Sequence, residues 1–253
     1  MPRHQRALSP TNTYHIMVRG INKQAIFLDE RDQSQFLKTL LNVYNECDFD
    51  LYAFCLMSNH FHIVLKTNGT PLDVIVKKFN TSYVYYFNQR YGRVGHLFQD
   101  RFKSEPILTD AQLVQTIRYV HRNPVKANIV QDPGSYKYSS YNSYLSENAV
   151  SKREYSFIAS LFGSISQYIS FHQEPADFKC MDLDESSGIT TPDDMTAERI
   201  LQDVTHSRDK NFLQTLSKKE RDRYVIELRK RKLSIGQLSR LTGLSPGVIR
   251  GAK

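Results

Sequence analysis

Along the first 145 residues the apolar positions change period several times, and each change predicts an element. "TYHIMVR" (13–19) alternates enough for a strand, which Gly20 and Asn22 end. From Asp32, read as a helix cap, Phe36, Leu37, Leu40, Leu41 and the Val43-Tyr44 pair recur at helical spacing. "LYAFCLM" (51–57) and "HFHIVLKT" (60–67) form two strands of a hairpin across a tight turn at Ser58-Asn59. Asn68-Gly69-Thr70-Pro71 breaks the chain, and a second helix over 71–91 carries Leu72, Ile75, Val76, Phe79, Tyr83 and Tyr86 on one stripe. "KSEPILT" (103–109) reads as an edge strand, because Pro106 has no N–H to give a neighbouring strand. Asp110 caps a third helix over 111–122, expected to stop at Asn123-Pro124.

The order βαββαβ plus a further helix predicts an α+β fold: a ferredoxin-like, RRM-like antiparallel sheet with two helices on one face. The other face is expected to stay free for a site. This domain is placed at 1–150. "EYSFIASLFGSISQYISF" (154–171) reads as a helical extension over 151–171. Residues 172–198 hold eight acidic residues against one Lys, plus two Pro, and read as an extended acidic linker. Residues 199–253 are helical again, and no internal repeat is visible.

Charge sharpens this division. The net charge is +8, and residues 217–253 hold 11 Lys/Arg against 3 Asp/Glu, whereas the rest of the chain balances at 23 of each. The excess is therefore C-terminal and points to a polyanionic partner such as nucleic acid. Within it "KLSIGQLSRLTGLSPGVIRG" (232–251) reads as a helix-turn-helix, with Ile235, Leu238, Leu241, Leu244, Val248 and Ile249 as its core. Gly243 makes its turn, and Ser245 with Pro246 starts its second helix. Arg229, Arg231, Arg240 and Arg250 are its candidate DNA contacts; the rival is a basic helical hairpin that packs on its own first domain. No run of about 18 apolar residues exists, so no membrane helix is expected. "MPRHQRALSP" has no apolar stretch of a signal peptide. Cys47, Cys55 and Cys180 stand far apart without a CxxC and read as reduced thiols of a cytoplasmic protein.

The chemistry centres on His60 and His62, which alternation puts on one face of a strand, about 6–7 Å apart. A His-x-His pair alone says only that two imidazoles can reach one cation, and no third His or Asp follows closely. Further donors stand in the third helix, "QTIRYVHRNPVKAN", where Tyr119 and Asn123 share a face four residues apart. A phenol can serve as a nucleophile and a carboxamide oxygen as a neutral ligand.

Taken together, His60-Phe61-His62, the run Tyr119 to Ala127, "FNQRYGRVGHLFQDRFKS" (87–104) and "YKYSSYNSYL" (136–145) resemble the single-tyrosine HUH-class transposases, among them the REP-associated tyrosine transposases. The resemblance spans roughly residues 8–145. It implies that Tyr119 is the nucleophile of single-stranded DNA cleavage and that His60, His62 and Asn123 hold a divalent metal, Mg²⁺ or Mn²⁺. It also implies a 5′-phosphotyrosine with a free 3′-OH and a DNA hairpin as ligand, with the protein nucleoid-associated when bound. A homodimer is compatible with this, the tyrosine acting in its own subunit or across. Lys77, Lys78, Arg90, Arg93, Arg101 and Lys103, with Arg118 and Arg122 on the third helix, are the candidate phosphate contacts. Tyr85, Tyr86, Tyr91 and Phe98 are the candidate stacking platforms. The rival readings are a non-catalytic single-strand-binding module, an HUH replication or mobilisation nuclease, and a zinc hydrolase without tyrosine chemistry.

Overall fold

The computed structural model describes residues 6–99, 101–145, 152–174, 180, 194–207, 209 and 211–252. Most of the expected acidic linker lies outside them. The chain divides into two compact units, residues 1–21 with 25–183 and residues 22–24 with 184–253.

The first unit is built on four strands, β1 (Thr13–Arg19), β2 (Phe49–Met57), β3 (His60–Thr67) and β4 (Lys103–Ile107). They lie in the order β2-β3-β1-β4, with every neighbouring pair antiparallel. This is the expected ferredoxin-like order, and it puts β4, with Pro106, at an edge. Two helices, α1 (Glu30–Glu46) and α2 (Leu72–Tyr91), cover one face. Tyr14, Ile16, Val18, Phe61, Ile63 and Leu65 alternate onto that face and pack with Phe36, Leu40, Ile75, Phe79 and Tyr83. Phe36 is the centre of an aromatic cluster, its ring 4.5 Å from Phe61 and 5.2 Å from Tyr83.

Asp29, not Asp32, caps α1, accepting from the N–H groups of Arg31 and Asp32. Asp32 lies inside the first turn, fully buried. It accepts from the Leu28 N–H at 2.8 Å and pairs with Arg90 at 2.6 Å, which ties α1 to α2.

The second sheet face is not free. Ala53, Cys55, Met57 and Val64 line it, and α3 (Asp110–Lys126) covers them with Leu113, Ile117 and Val120. Tyr141 and Tyr144, then α4 (Lys152–Phe162) and α5 (Ile165–Gln173), complete this second core. Small and apolar side chains on that face need cover, and the tyrosine-rich chain after α3 supplies it.

Thr109, rather than Asp110, caps α3 by accepting from the Gln112 N–H. The helix runs on through Pro124 to Lys126 instead of ending at Asn123. Proline there removes one hydrogen bond, to the carbonyl one turn back, close to the helix end where carbonyls lose partners in any case. Pro124 is itself buried, and its carbonyl accepts from the Ile129 N–H.

The second unit comprises α6 (Asp194–Thr205), α7 (Phe212–Thr215), α8 (Lys218–Lys230), α9 (Ile235–Thr242) and α10 (Pro246–Gly251). Leu201, Val225, Leu228, Leu238, Leu244 and Ile249 form its core. Ser217 with Glu220 and Ser234 with Gln237 close capping boxes on α8 and α9. Gly243 ends α9 at φ 67°, a left-handed conformation that favours glycine. Ser245 accepts from the Val248 N–H, with Pro246 at the first position of α10.

Candidate functional site

Register decides which side chains meet. β1 and β3 pair as Arg19 with His60, Met17 with His62 and His15 with Val64. Opposed residues share a face, so His60, His62, His15 and Arg19 all stand on the side away from α1 and α2. His62 is fully buried, its ring centroid 5.1 Å from that of His60 and 5.1 Å from that of His15. The His62 Nδ1 and His15 Nε2 atoms are 2.9 Å apart and share a hydrogen bond. His62 Nε2 is buried with no hydrogen-bond partner among the described residues.

His60 Nδ1 lies 2.7 Å from Asn59 Oδ1. With that oxygen accepting, the His60 proton sits on Nδ1 and the lone pair on Nε2. Burial, reinforced by the neighbouring His15, His60 and Lys126, holds the His62 imidazole well below its usual pKa. It is therefore neutral near pH 7, the form that ligates metals.

From above this face α3 delivers Tyr119, whose ring stands edge-on to His62 at 5.7 Å and to His15 at 6.0 Å. Its hydroxyl is buried, and the Lys126 ammonium lies 5.6 Å from the ring centroid. One turn on, the buried Asn123 donates its amide N–H to the Tyr119 carbonyl at 3.0 Å. That bond uses the amide nitrogen and leaves the oxygen as the atom that could accept from a donor or meet a cation. An orphaned buried imidazole nitrogen with a second imidazole beside it suits a divalent cation, and Asn123 stands one helical turn from the tyrosine that reaches them.

α5 braces the tyrosine helix. His121 Nδ1 is 3.1 Å from His172 Nε2 and 3.2 Å from the Tyr168 hydroxyl, while His121 Nε2 is 2.8 Å from the Ser140 hydroxyl. Arg118 donates to the Phe171 carbonyl at 3.2 Å, and Arg122 donates to that of His172. Both arginines expected to touch phosphate are thus bound to the end of α5.

The other basic candidates scatter. Lys103 is opposite Met17, hence on the histidine face, and exposed. Arg101 is exposed beside Phe102, in a cleft that Arg6 also lines. Arg93 lies 5.6 Å over the Phe87 ring. Lys77 and Lys78 belong to the α1–α2 layer, across the sheet from the histidines, and Lys78 pairs with Glu46 at 3.0 Å. Arg90 is held by Asp29 and Asp32. Among the aromatics Tyr85 is 71% exposed, whereas the Tyr86 and Tyr91 hydroxyls donate to Asp32 and Phe98 packs on the core. In the second unit Arg229, Arg231, Arg240 and Arg250 are all exposed.

Sequence reasoning passed over three residues. His15 touches His62, and Glu105 lies opposite His15 across β1 and β4 with a carboxylate oxygen 3.6 Å from His15 Nδ1. Arg19 flanks His60, its Nε buried without a hydrogen-bond partner among the described residues. None of the three belongs to a local motif. The signal that reaches them is strand pairing: each lies on β1 or β4 with the parity of the histidine face. Cys180 Sγ also comes within 4.8 Å of a His15 ring nitrogen and a Glu105 carboxylate oxygen.

The sheet order, the histidine face and the helix laid across it define a ferredoxin-like α+β domain with a polar cluster walled in by α3. A family model described as IS200-like transposase matches residues 9–123, from just before β1 to Asn123. The match to that family of DNA-processing enzymes covers the strands, the His-x-His pair and the Tyr119 helix, the same stretch that carries the sequence resemblance. A solved REP-associated tyrosine transposase bound to a REP hairpin is similar in fold, with a TM-score of 0.51 at 16% identity over 59% of this chain and 88% of that one. A Deinococcus radiodurans R1 protein provisionally assigned as a transposase aligns at 16% identity and a TM-score of 0.34, over 47% of this chain and 97% of its own. No curated protein sequence matches. Among the described residues no helix is long and apolar enough to cross a membrane.

Proposed function

We propose that the first unit is a single-strand DNA endonuclease and strand transferase acting near DNA hairpins. The observation that carries this reading is the meeting of His60 and His62 from β3 with Tyr119 from α3, two elements far apart in sequence. His60 and His62, through their Nε2 atoms, and Asn123, through its amide oxygen, are the residues that would hold the cation. When bound, Mg²⁺ or Mn²⁺ supplies positive charge for the scissile phosphate and the departing 3′-oxygen. Tyr119 Oη attacks the phosphorus; the Oη–P bond forms as the P–O3′ bond breaks. The phenol loses a proton and the 3′-oxygen gains one, leaving a 5′-phosphotyrosine and a free 3′-OH. The phosphodiester bond is conserved in number, so the step can run back onto a new 3′-OH and join strands. The Lys126 ammonium, 5.6 Å from the Tyr119 ring centroid, adds positive charge beside the attacking residue. Lys103 and Arg19, on the histidine face, are further cations placed to meet the DNA backbone. The solved relative's bound hairpin supports a hairpin as ligand here. The exposed arginines of the second unit add affinity without sequence readout.

The test uses hairpin oligonucleotides with single-stranded flanks, Mn²⁺ and a denaturing gel. A protein–DNA adduct should form with the native chain and be lost in Tyr119→Phe, with hairpin binding retained. Cleavage by Tyr119→Phe at the native rate, or cleavage with no adduct, would contradict the reading.

A further inference from the structure

His15 is fully buried beside the site and has no role in the chemistry above. Its ring lies nearly parallel to that of His62, at 21° and 5.1 Å between centroids, as two imidazoles do when joined edge to edge by one hydrogen bond. One proton lies between His15 Nε2 and His62 Nδ1, and its owner decides what His62 can do. If His15 owns it, His62 is an acceptor at Nδ1, and its only N–H must be at Nε2, the atom that would face the cation. A protonated Nε2 cannot be a ligand. If His62 owns it, its Nε2 carries a lone pair, and His15, accepting at Nε2, can carry an N–H only at Nδ1.

Glu105 distinguishes the two arrangements. Its carboxylate is 3.6 Å from His15 Nδ1, longer than a hydrogen bond but within range of charge. An N–H there is attracted and a lone pair repelled. β1 lies between β4 and β3 in the sheet, so Glu105, His15 and His62 come from three successive strands, with Glu105 directly opposite His15 and His62 diagonal to it, two residues along β3 from the opposed Val64.

We propose that His15, oriented by Glu105, is the positioning residue that keeps the His62 proton on Nδ1 and its Nε2 lone pair available to a divalent cation. The inference deepens the proposed function and rests on it in one respect, that the cation sits at His62. Outer partners of this kind hold a ligand's tautomer and ring orientation, and removing one typically weakens metal affinity roughly 10–100-fold.

The experiment uses the full chain. Nitrogen-15 NMR of the imidazoles, without metal, reads the tautomer directly. Mn²⁺ titration followed by electron paramagnetic resonance reads affinity. Metal-free native protein should show His62 protonated at Nδ1. Mn²⁺ affinity should fall roughly 10–100-fold in His15→Ala, and it should partly return in His15→Gln, whose amide oxygen can accept the same proton. His62 protonated at Nε2 in the native chain would overturn the inference with no variant needed. So would His15→Ala binding Mn²⁺ as tightly as native while His62→Ala does not bind it. If His62→Ala leaves Mn²⁺ binding unchanged, the proposed metal site fails, while the NMR result still judges the tautomer by itself. A Zn²⁺ titration covers the remaining arrangement. Tight Zn²⁺ binding lost in His15→Ala and Cys180→Ser but kept in His62→Ala would make His15 a ligand through Nδ1, and would also overturn the inference.

Discussion

At the scale of residues, the site depends on where protons sit. His60 and His62 each engage a partner through Nδ1, Asn59 in one case and His15 in the other. Both rings are thereby turned so that Nε2 is the atom that would meet the proposed cation. Asn59→Ala should therefore weaken Mn²⁺ binding by roughly tenfold, and Asn59→Asp, which keeps the acceptor, should not; calorimetric titration checks both. His60 and His62 were legible in the sequence because His-x-His is local and strand alternation is a strict rule. His15 was not, since one histidine in "TYHIMVR" carries no pairing signal until the strand order is known. The same holds for Asp29 and Asp32, which lie three residues apart and both suit a helix start. Only its tertiary partners, Arg90 with the Tyr86 and Tyr91 hydroxyls, show why the buried Asp32 belongs inside the first turn.

At the scale of elements, α3 is fixed against the sheet by an apolar stripe and against α5 by a neutral histidine pair. Burial pulls the His172 imidazole down to about 4 and that of His121 well below its usual value. The sign follows from the lowered values. Above about pH 6.5 both rings are neutral folded or unfolded. Between there and about 4 the unfolded chain binds more protons, so stability falls as pH falls. The His172 shift alone corresponds to roughly 3 kcal/mol. Urea unfolding at pH 7 and pH 5 should show the loss, and His172→Phe should flatten the dependence. The strands, α1 and α2 were readable from periodicity. The passage of α3 through Pro124 and the burial of the second sheet face were not. The cover comes from chain that follows the sheet, and tyrosines along 136–168 read equally well as loop or surface.

At the scale of the whole molecule, charge is divided unevenly. Residues 217–253 carry all of the net +8, and Arg229, Arg231, Arg240 and Arg250 are exposed. Replacing these four with Ser should lower the salt dependence of binding by about 0.7 in log–log slope for each single-strand phosphate no longer neutralised. Adduct yield at saturating DNA should stay at the native level. An unchanged slope would instead assign those arginines to intramolecular contacts. The capped helix pair Ile235–Thr242 and Pro246–Gly251 was visible from Ser234, Gly243, Ser245 and Pro246, whose local backbone roles need no tertiary context.

The most direct test of the central claim is mass spectrometry of the covalent product. Protein incubated with Mn²⁺ and a hairpin oligonucleotide should be digested with protease and nuclease and the modified peptide sequenced. The account predicts a nucleotide joined through its 5′-phosphate to Tyr119, with the released upstream strand ending in a 3′-hydroxyl. Attachment at any other side chain, linkage through a 3′-phosphate, or cut DNA with no modified peptide would contradict it.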